Sequence, residues 1–186
     1  VTNVYGGGNQ AAASVSPVVN INGGTSDKVY GGGYGATAVL TGDPTVNVSA
    51  GTVSHDVFGG GALADVTGSP SVNVIGGTVT HDVYGGGALA NVSGSTIVNL
   101  AGGAVGNAYG GGLGQLADAE AGKEAVAATV TGDANVTVSG GTTTNVFGCN
   151  NLNGSPEGDV TVTINETANV TNVYGGGNQA AASVSP

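Results

Sequence analysis

An aromatic residue followed by glycines returns at a nearly constant interval, and this repeat constrains the fold of the 186-residue chain more than any other feature. The repeated aromatic residues are Tyr5, Tyr30, Phe58, Tyr84, Tyr109, Phe147 and Tyr174. Their intervals are 25–28 residues, except for one of 38 residues that contains an insertion at residues 115–128. A unit of this length cannot bury its own apolar face, so stacked units must share one continuous core.

Each unit contains three short segments that are rich in β-branched residues and bounded by Gly, Asn, Asp or Pro, which is the pattern of strands and turns. In Val46-Asn47-Val48 a strand would point both valines inward and the asparagine outward. The chain is therefore predicted to be all-β: a parallel β-solenoid (β-helix) of about six rungs of 25–28 residues, with three strand faces per turn and one lateral insertion. A β-sandwich would not place equivalent residues at a single period.

The domain organisation is predicted to be one β-solenoid segment over residues 1–186. Residues 1–17 (VTNVYGGGNQAAASVSP) recur residue for residue as residues 170–186, an offset of 169 residues, which indicates a larger repeat six rungs long. Neither end carries the polar cap that protects the open strand edges of a solenoid. We therefore expect the segment to continue covalently into further copies, or to dock head to tail onto another chain as an open filament.

The insertion at residues 115–128 is rich in Ala, with Glu and Lys, and is predicted to be a loop or a short helix that projects from the rod. A loop on a rigid scaffold is a suitable place for partner contact. A spacer without a function of its own is the alternative.

Charge and composition exclude several functions. Only two basic residues, Lys28 and Lys123, stand against 12 acidic ones, and the formal net charge is −10. No basic surface exists to neutralise a phosphate backbone, which excludes nucleic acid as a partner. No apolar stretch approaches the ~20 residues that cross a bilayer, so membrane insertion is not expected. β-Helical polysaccharide lyases need a cationic residue near the abstracted proton and acidic clusters that bind calcium, yet only Lys28 and Lys123 are available. We therefore predict no enzyme activity and no cofactor.

Stacking turns each repeated residue into a column of like side chains. One predicted ladder consists of Asn20, Asn47, Asn73 and Asn99, continued by Thr137 and Thr163. Carboxamides one rung apart can hydrogen-bond along the axis and stabilise the stack. A ligand-binding or filament-contact face is the alternative interpretation of this column.

The seven aromatic residues form a second predicted column beside their glycines. A glycine triplet allows a sharp bend or a close backbone approach, so the rings are expected in the core or at a corner. If the rings are exposed instead, a flat row of them would suit lateral packing or stacking against sugars.

Two histidines, His55 and His81, stand one rung apart, and each is followed by an acid, Asp56 or Asp82. The four are weak candidates for a metal site, and the two aspartates are also a conceivable carboxylate pair for hydrolysis. The positions equivalent to the two histidines in the other rungs are Thr2, Asp27, Gly106, Thr144 and Thr171, so no ligand set is built across the rod. This favours a surface turn and predicts neither a metal site nor a catalytic site.

Two further features concern modification. Cys149 interrupts a glycine triplet and is expected to be a small buried residue, with a cross-linking thiol as the alternative. The sequence also permits N-glycosylation at six sequons. These sequons begin at Asn47, Asn91, Asn135, Asn153, Asn165 and Asn169.

The unit at residues 76–87 (GGTVTHDVYGGG) resembles the strand repeats of large prokaryotic extracellular surface proteins, including autotransporter-like and filamentous adhesins. The resemblance covers nearly the whole chain. It implies a rod at the cell surface that serves adhesion, matrix building or display, and it provides no catalytic residues.

These observations predict a structural extracellular fibre or adhesin-stalk segment that assembles into a long rod at the cell surface, in a matrix or in a biofilm. Its expected partner is itself, with glycans or neighbouring filaments as further candidates. The alternative is a carbohydrate-binding adhesin module that uses an exposed Tyr/Asn face. A remote alternative is an ice-binding solenoid, although Thr143, Thr161 and Thr163 do not recur in register in the other rungs.

Overall fold

The computed structural model describes residues 1–181 of the chain, so the end of the repeated segment, residues 182–186, lies outside the described part. The described residues form thirteen strands and no helix. The strands are β1 (Asn3–Tyr5), β2 (Val18–Ser26), β3 (Lys28–Tyr30), β4 (Leu40–Thr41), β5 (Thr45–Val53), β6 (Val57–Phe58), β7 (Val66–Thr67), β8 (Ser71–Val74), β9 (Thr78–Tyr84), β10 (Thr96–Tyr109), β11 (Ala134–Phe147), β12 (Val160–Ile164) and β13 (Asn169–Tyr174). The predicted all-β, parallel β-solenoid is confirmed.

Strands pair in parallel with their copies in the neighbouring rungs. Asn20 lies opposite Asn47, and Asn47 lies opposite Asn73, so like residues stack on like. We number the rungs 1 to 7 by their aromatic residues, from Tyr5 to Tyr174. Three lines of strands run along the rod, in agreement with the predicted three strand faces per turn.

The first strand line consists of β2, the start of β5, β8, the starts of β10 and β11, and β12. The second consists of β1, β3, β6, the end of β9, the ends of β10 and β11, and β13. The third is short and consists of Ala13, Leu40, Val66, Val92, Val130 and Pro156. The first line thus has six layers among the described residues, and the second has seven.

The core is divided into three clusters because successive side chains of a strand point to opposite faces. Val83 packs with the other valines in the central cluster, and its neighbour Tyr84 packs into a separate aromatic cluster. The third line forms its own small cluster of Leu40, Val66, Val92 and Val130, all fully buried.

Glycine is needed at two kinds of position in each rung. At the corner between the first two strand lines, Gly77 and Gly103 have φ angles of 74° and 76°. Residues with a side chain rarely adopt such angles. In the glycine triplet after the aromatic residue, glycine is needed because the backbones of neighbouring rungs approach each other closely. A Cβ on Gly86 would lie 2.8 Å from the backbone nitrogen of Gly112 in the next rung.

The insertion at residues 115–128 projects as a short hairpin, and the helical alternative is wrong for this segment. Gln115 pairs antiparallel with Val126, and Asp118 pairs antiparallel with Lys123. Gly122 adopts a φ of 65° in the turn, and the Asp118 carboxylate accepts a hydrogen bond from the backbone N–H of Ala121. A segment this short is marginal as a helix in water, and its aspartate and glycine favour the turn.

Shortening Leu40 tests the importance of the small third cluster. Leu40→Ala leaves a cavity among fully buried residues and should lower the free energy of unfolding by about 2–5 kcal/mol. Leu63→Ala removes the same atoms from a side chain that is 44 % exposed, and should cost less than about 1 kcal/mol. Urea unfolding of both variants measures the difference. Similar losses in the two proteins would show that the cluster does not stabilise the rod.

Candidate functional site

The predicted asparagine ladder is joined by amide–amide hydrogen bonds. The Nδ2 of Asn47, Asn73 and Asn99 each donates to the Oδ1 of the asparagine one rung earlier, at 2.9 Å in every case. Thr137 and Thr163 continue the column on the same face without an amide. In Asn47 and Asn73 the amide nitrogen donates to one neighbouring asparagine and the amide oxygen accepts from the other. These side chains therefore hydrogen-bond mainly within the rod.

A second ladder follows the corner after the third strand line, and its role was not predicted. In each step a side-chain oxygen accepts the backbone N–H of the equivalent residue one rung later, at 2.7–3.1 Å. We call this series the corner ladder. It consists of Ser16, Asp43, Ser69, Ser95, Asp133 and Asp159. Its members stabilise the stack at a turn where the backbone leaves the sheet.

A third ladder, the acid–amide column, consists of Lys28, Asp56, Asp82, Asn107, Asn145 and Asn172. The Lys28 ammonium lies 3.3 Å from the Asp56 carboxylate. Asn107 donates to Asp82, and each later asparagine donates to the one before it, at 2.7–2.9 Å. Of these six residues, only the two aspartates were candidate site residues in the sequence, where Lys28 was noted only as one of the two basic residues.

The candidate metal residues are brought together only in part. The rings of His55 and His81 lie 4.8 Å apart, and Nδ1 of His55 hydrogen-bonds to Asp27. Asp56 pairs with Lys28, while Asp82 accepts hydrogen bonds from Asn107 and from the hydroxyl of Tyr84. Among residues 1–181 no group of three or more potential ligands is arranged to hold a metal ion. Asp56 and Asp82 therefore use their carboxylates to hold the column together, as expected for a structural role.

The aromatic residues form one continuous stack of seven rings. Neighbouring ring centroids are 4.7–4.9 Å apart, with interplanar angles of 4–11°. The central rings are buried, with Tyr84 only 1 % exposed, whereas Tyr174 in rung 7 is 46 % exposed. Sugar stacking requires accessible ring faces, so the central part of this column does not offer the exposed Tyr face of the adhesin hypothesis.

Tyr84 joins the aromatic stack to the polar columns. Its hydroxyl donates to Oδ2 of Asp82 at 2.9 Å and accepts from Nδ2 of Asn151, two rungs later, at 2.8 Å. Burial, followed by the charge of Asp82, raises the pKa of Tyr84 well above its ordinary value. Burial also raises the pKa of Tyr30 and Tyr109, so the stack favours neutral phenols.

A groove of about 460 Å³ runs beside the aromatic column. Tyr34, Leu63 and Leu89 contribute to its apolar floor, and the hairpin insertion contributes Gln115 and Lys123. Lys28 lies at the other end of the groove, so both lysines of the chain line it. Sequence analysis missed it because its residues come from five rungs and differ in type.

The candidate modification sites differ in accessibility. Asn91, Asn165 and Asn169 are exposed, and Asn135 is half-buried on its strand. Asn47 is held in its ladder, and Asn153 donates to the carbonyl of Gln115 and accepts from the N–H of Gly154.

Cys149 is fully buried, and its thiol lies 3.7 Å from the carbonyl oxygen of Gly175. Burial raises the pKa of this thiol, which disfavours the reactive thiolate. The environment is that of a small packed residue.

No protein-family model, no curated protein and no solved structure matches this chain. Among residues 1–181 there is no helix of the length and apolar character needed to cross a membrane. Function must therefore be inferred from the columns and the groove.

Raising the pH above about 10 should destabilise the fold. Burial raises the folded-state pKa of Tyr84 above the ordinary value of 10.0, so its phenol loses a proton more readily in the unfolded chain. The stabilisation is complete below pH ~10 and decreases as the pH rises toward the folded-state pKa. Urea unfolding at a series of alkaline pH values measures this decrease.

Two variants serve as controls for the pH dependence. Tyr84→Phe removes one buried phenol and should show a smaller decrease with pH. Tyr34→Phe changes a ring that is 43 % exposed and should retain the dependence of the unmodified protein. Identical behaviour of all three proteins would show that Tyr84 is not responsible for the decrease.

Proposed function

We propose that the chain is a segment of a structural extracellular fibre or adhesin stalk, with a mechanical and not a catalytic role. The observation that carries the proposal is that the second strand line returns to its starting residues after one 169-residue unit. Tyr5 and Tyr174 occupy equivalent places in the aromatic stack, and Asn3 and Asn172 occupy equivalent places on the second strand line.

The direction of the hydrogen bonds favours a load-bearing role. The parallel backbone pairs and the three side-chain ladders all join one rung to the next, so force along the axis is distributed over many bonds. Each bond contributes only about 0.5–1.5 kcal/mol, but they recur in every rung. Repetition, and not any single strong contact, would give the rod its strength.

The composition favours use outside the cell. Only two lysines and no arginine are present, so cleavage sites after basic residues are rare. The resemblance to surface-protein repeats points in the same direction. The partner proposed for this rod is further copies of itself.

A tandem fusion tests the rod. If residues 18–186 are placed after Pro186, the second unit continues in phase, because Pro186 corresponds to Pro17. Small-angle X-ray scattering should show a particle longer by roughly 29 Å, six rungs of ~4.8 Å, with an unchanged cross-section. A matched control that resumes at Gly31 places the second unit about half a rung out of phase and should produce a kinked or thicker particle. A thicker particle from the in-phase fusion would contradict the fibre.

We keep carbohydrate binding as a second candidate, because one aromatic ring outside the buried column is accessible. Tyr34 lines the groove with 43 % of its surface exposed, and Lys28, a potential hydrogen-bond donor, lines the same groove. An accessible ring flanked by polar groups is a suitable platform for a sugar.

Replacing Tyr34 tests this second function. If a glycan array identifies a ligand, Tyr34→Ala should weaken its binding about tenfold or more, measured by calorimetry, because the ring surface is lost. Ile75→Ala, a change at a side chain that is 60 % exposed on another face, should leave the affinity unchanged. Absence of any glycan ligand, or equal binding by both variants, would remove the candidate.

A further inference from the structure

We propose that two copies of this chain join by exchange of a rung: residues 170–181 of one copy take the place that residues 1–12 hold in the next. The proposal rests on the fibre function and names its partner, a second copy of this chain. The two segments have the same sequence, VTNVYGGGNQAA.

The first reason is that, on the second strand line, every contact in the exchanged joint already exists in the structure. Below the segment, Asn172–Tyr174 would keep their pairing with Asn145–Phe147 of β11. Above it, they would meet Lys28–Tyr30 of the next copy as Asn3–Tyr5 now do. The Tyr174 ring, 4.8 Å from Phe147 on one side, would receive Tyr30 on its open side.

The second reason is the unequal number of layers in the two main strand lines. Among residues 1–181 the first line has six layers and the second has seven. If two intact copies were stacked, rung 7 would meet rung 1 on the second line. The first line would then lack one strand between β12 and β2. The gap would expose core residues and leave two strand edges unpaired, which is costly.

Exchange removes this mismatch. When residues 1–12 leave, β12 of one copy comes next to β2 of the following copy at the ordinary rung spacing. The register of the columns then places Val162 on Val19 and Ile164 on Ile21, which continues the central cluster. Surface that is now open would be buried, including Ile164, which is 39 % exposed. The new strand pair and the release of the displaced residues both favour the exchange.

The third reason is direction. In the asparagine ladder and the acid–amide column, each amide donates toward the preceding rung, so one face of the rod presents donors and the other presents acceptors. With residues 1–12 displaced, Lys28 is on the donor face, and Oδ1 of Asn172 is on the acceptor face. Head-to-tail contact brings these two together, whereas head-to-head contact brings lysine against lysine. Such heterologous contacts produce open filaments.

The repeated sequence provides a matched pair of variants for the test. Sedimentation and electron microscopy of the 186-residue chain should show filaments that lengthen with concentration. Tyr174→Asp places a charge inside the joint and should weaken association at least about thirtyfold, as expected for a buried aromatic contact. Tyr5→Asp makes the same change in the segment that is expelled, and should leave association unchanged or strengthen it. Filaments lost equally in both variants would indicate simple stacking and overturn the exchange.

Hydrogen exchange gives an independent readout that does not depend on a variant. Upon assembly the amides of Asn3–Tyr5 should lose protection, because their segment is released, while those of Lys28–Tyr30 remain protected. Greater protection of Asn3–Tyr5 in the filament would overturn the proposal. So would a chain that stays monomeric at every concentration. In that case the in-phase tandem fusion still decides whether the fibre function stands.

Discussion

The parallel hydrogen bonding of each strand to its copy in the next rung is the interaction on which the rest of the structure depends. It sets the rise per rung, and this rise brings like residues to a separation at which they can stack or hydrogen-bond. The stacked rings of Tyr5 and Tyr30 are 4.9 Å apart. Carboxamides and corner side chains bridge the same rung spacing of ~4.8 Å through hydrogen bonds. The columns are therefore consequences of the backbone spacing, and they in turn keep the register of the strands.

The same spacing explains where the chain tolerates change and where it does not. Thr137 can follow Asn99 in the asparagine ladder because the side chain points outward and the backbone pair is unaffected. Phe58 can stand between Tyr30 and Tyr84 because the stack needs a ring and not a hydroxyl. The glycine triplets are more restricted, since neighbouring backbones there leave no room for a Cβ.

The sequence predicted the fold, the asparagine ladder and the aromatic residues that form one column, because in these features the same or similar residues recur at one period. The corner ladder was missed because it contains both Ser and Asp in no regular order, so a shared role is carried by different residue types. The acid–amide column was missed because Lys, Asp and Asn interact there through complementary chemistry. The helical alternative for residues 115–128 was based on the composition of the segment. It was wrong because Gly122 and Asp118 form a turn there. The groove depends on side chains from five rungs and could not be read from any one of them.

The hairpin insertion occurs only once in the six rungs, between Tyr109 and Phe147. In a rod built from in-phase copies of the 169-residue unit, every hairpin would therefore project from the same side, separated from the next by roughly 29 Å. The projections would mark regular distances along an otherwise uniform surface. A partner that contacts two neighbouring hairpins would bind only if its own sites matched that separation, so the length of the repeat, and not the chemistry of any single residue, would select it.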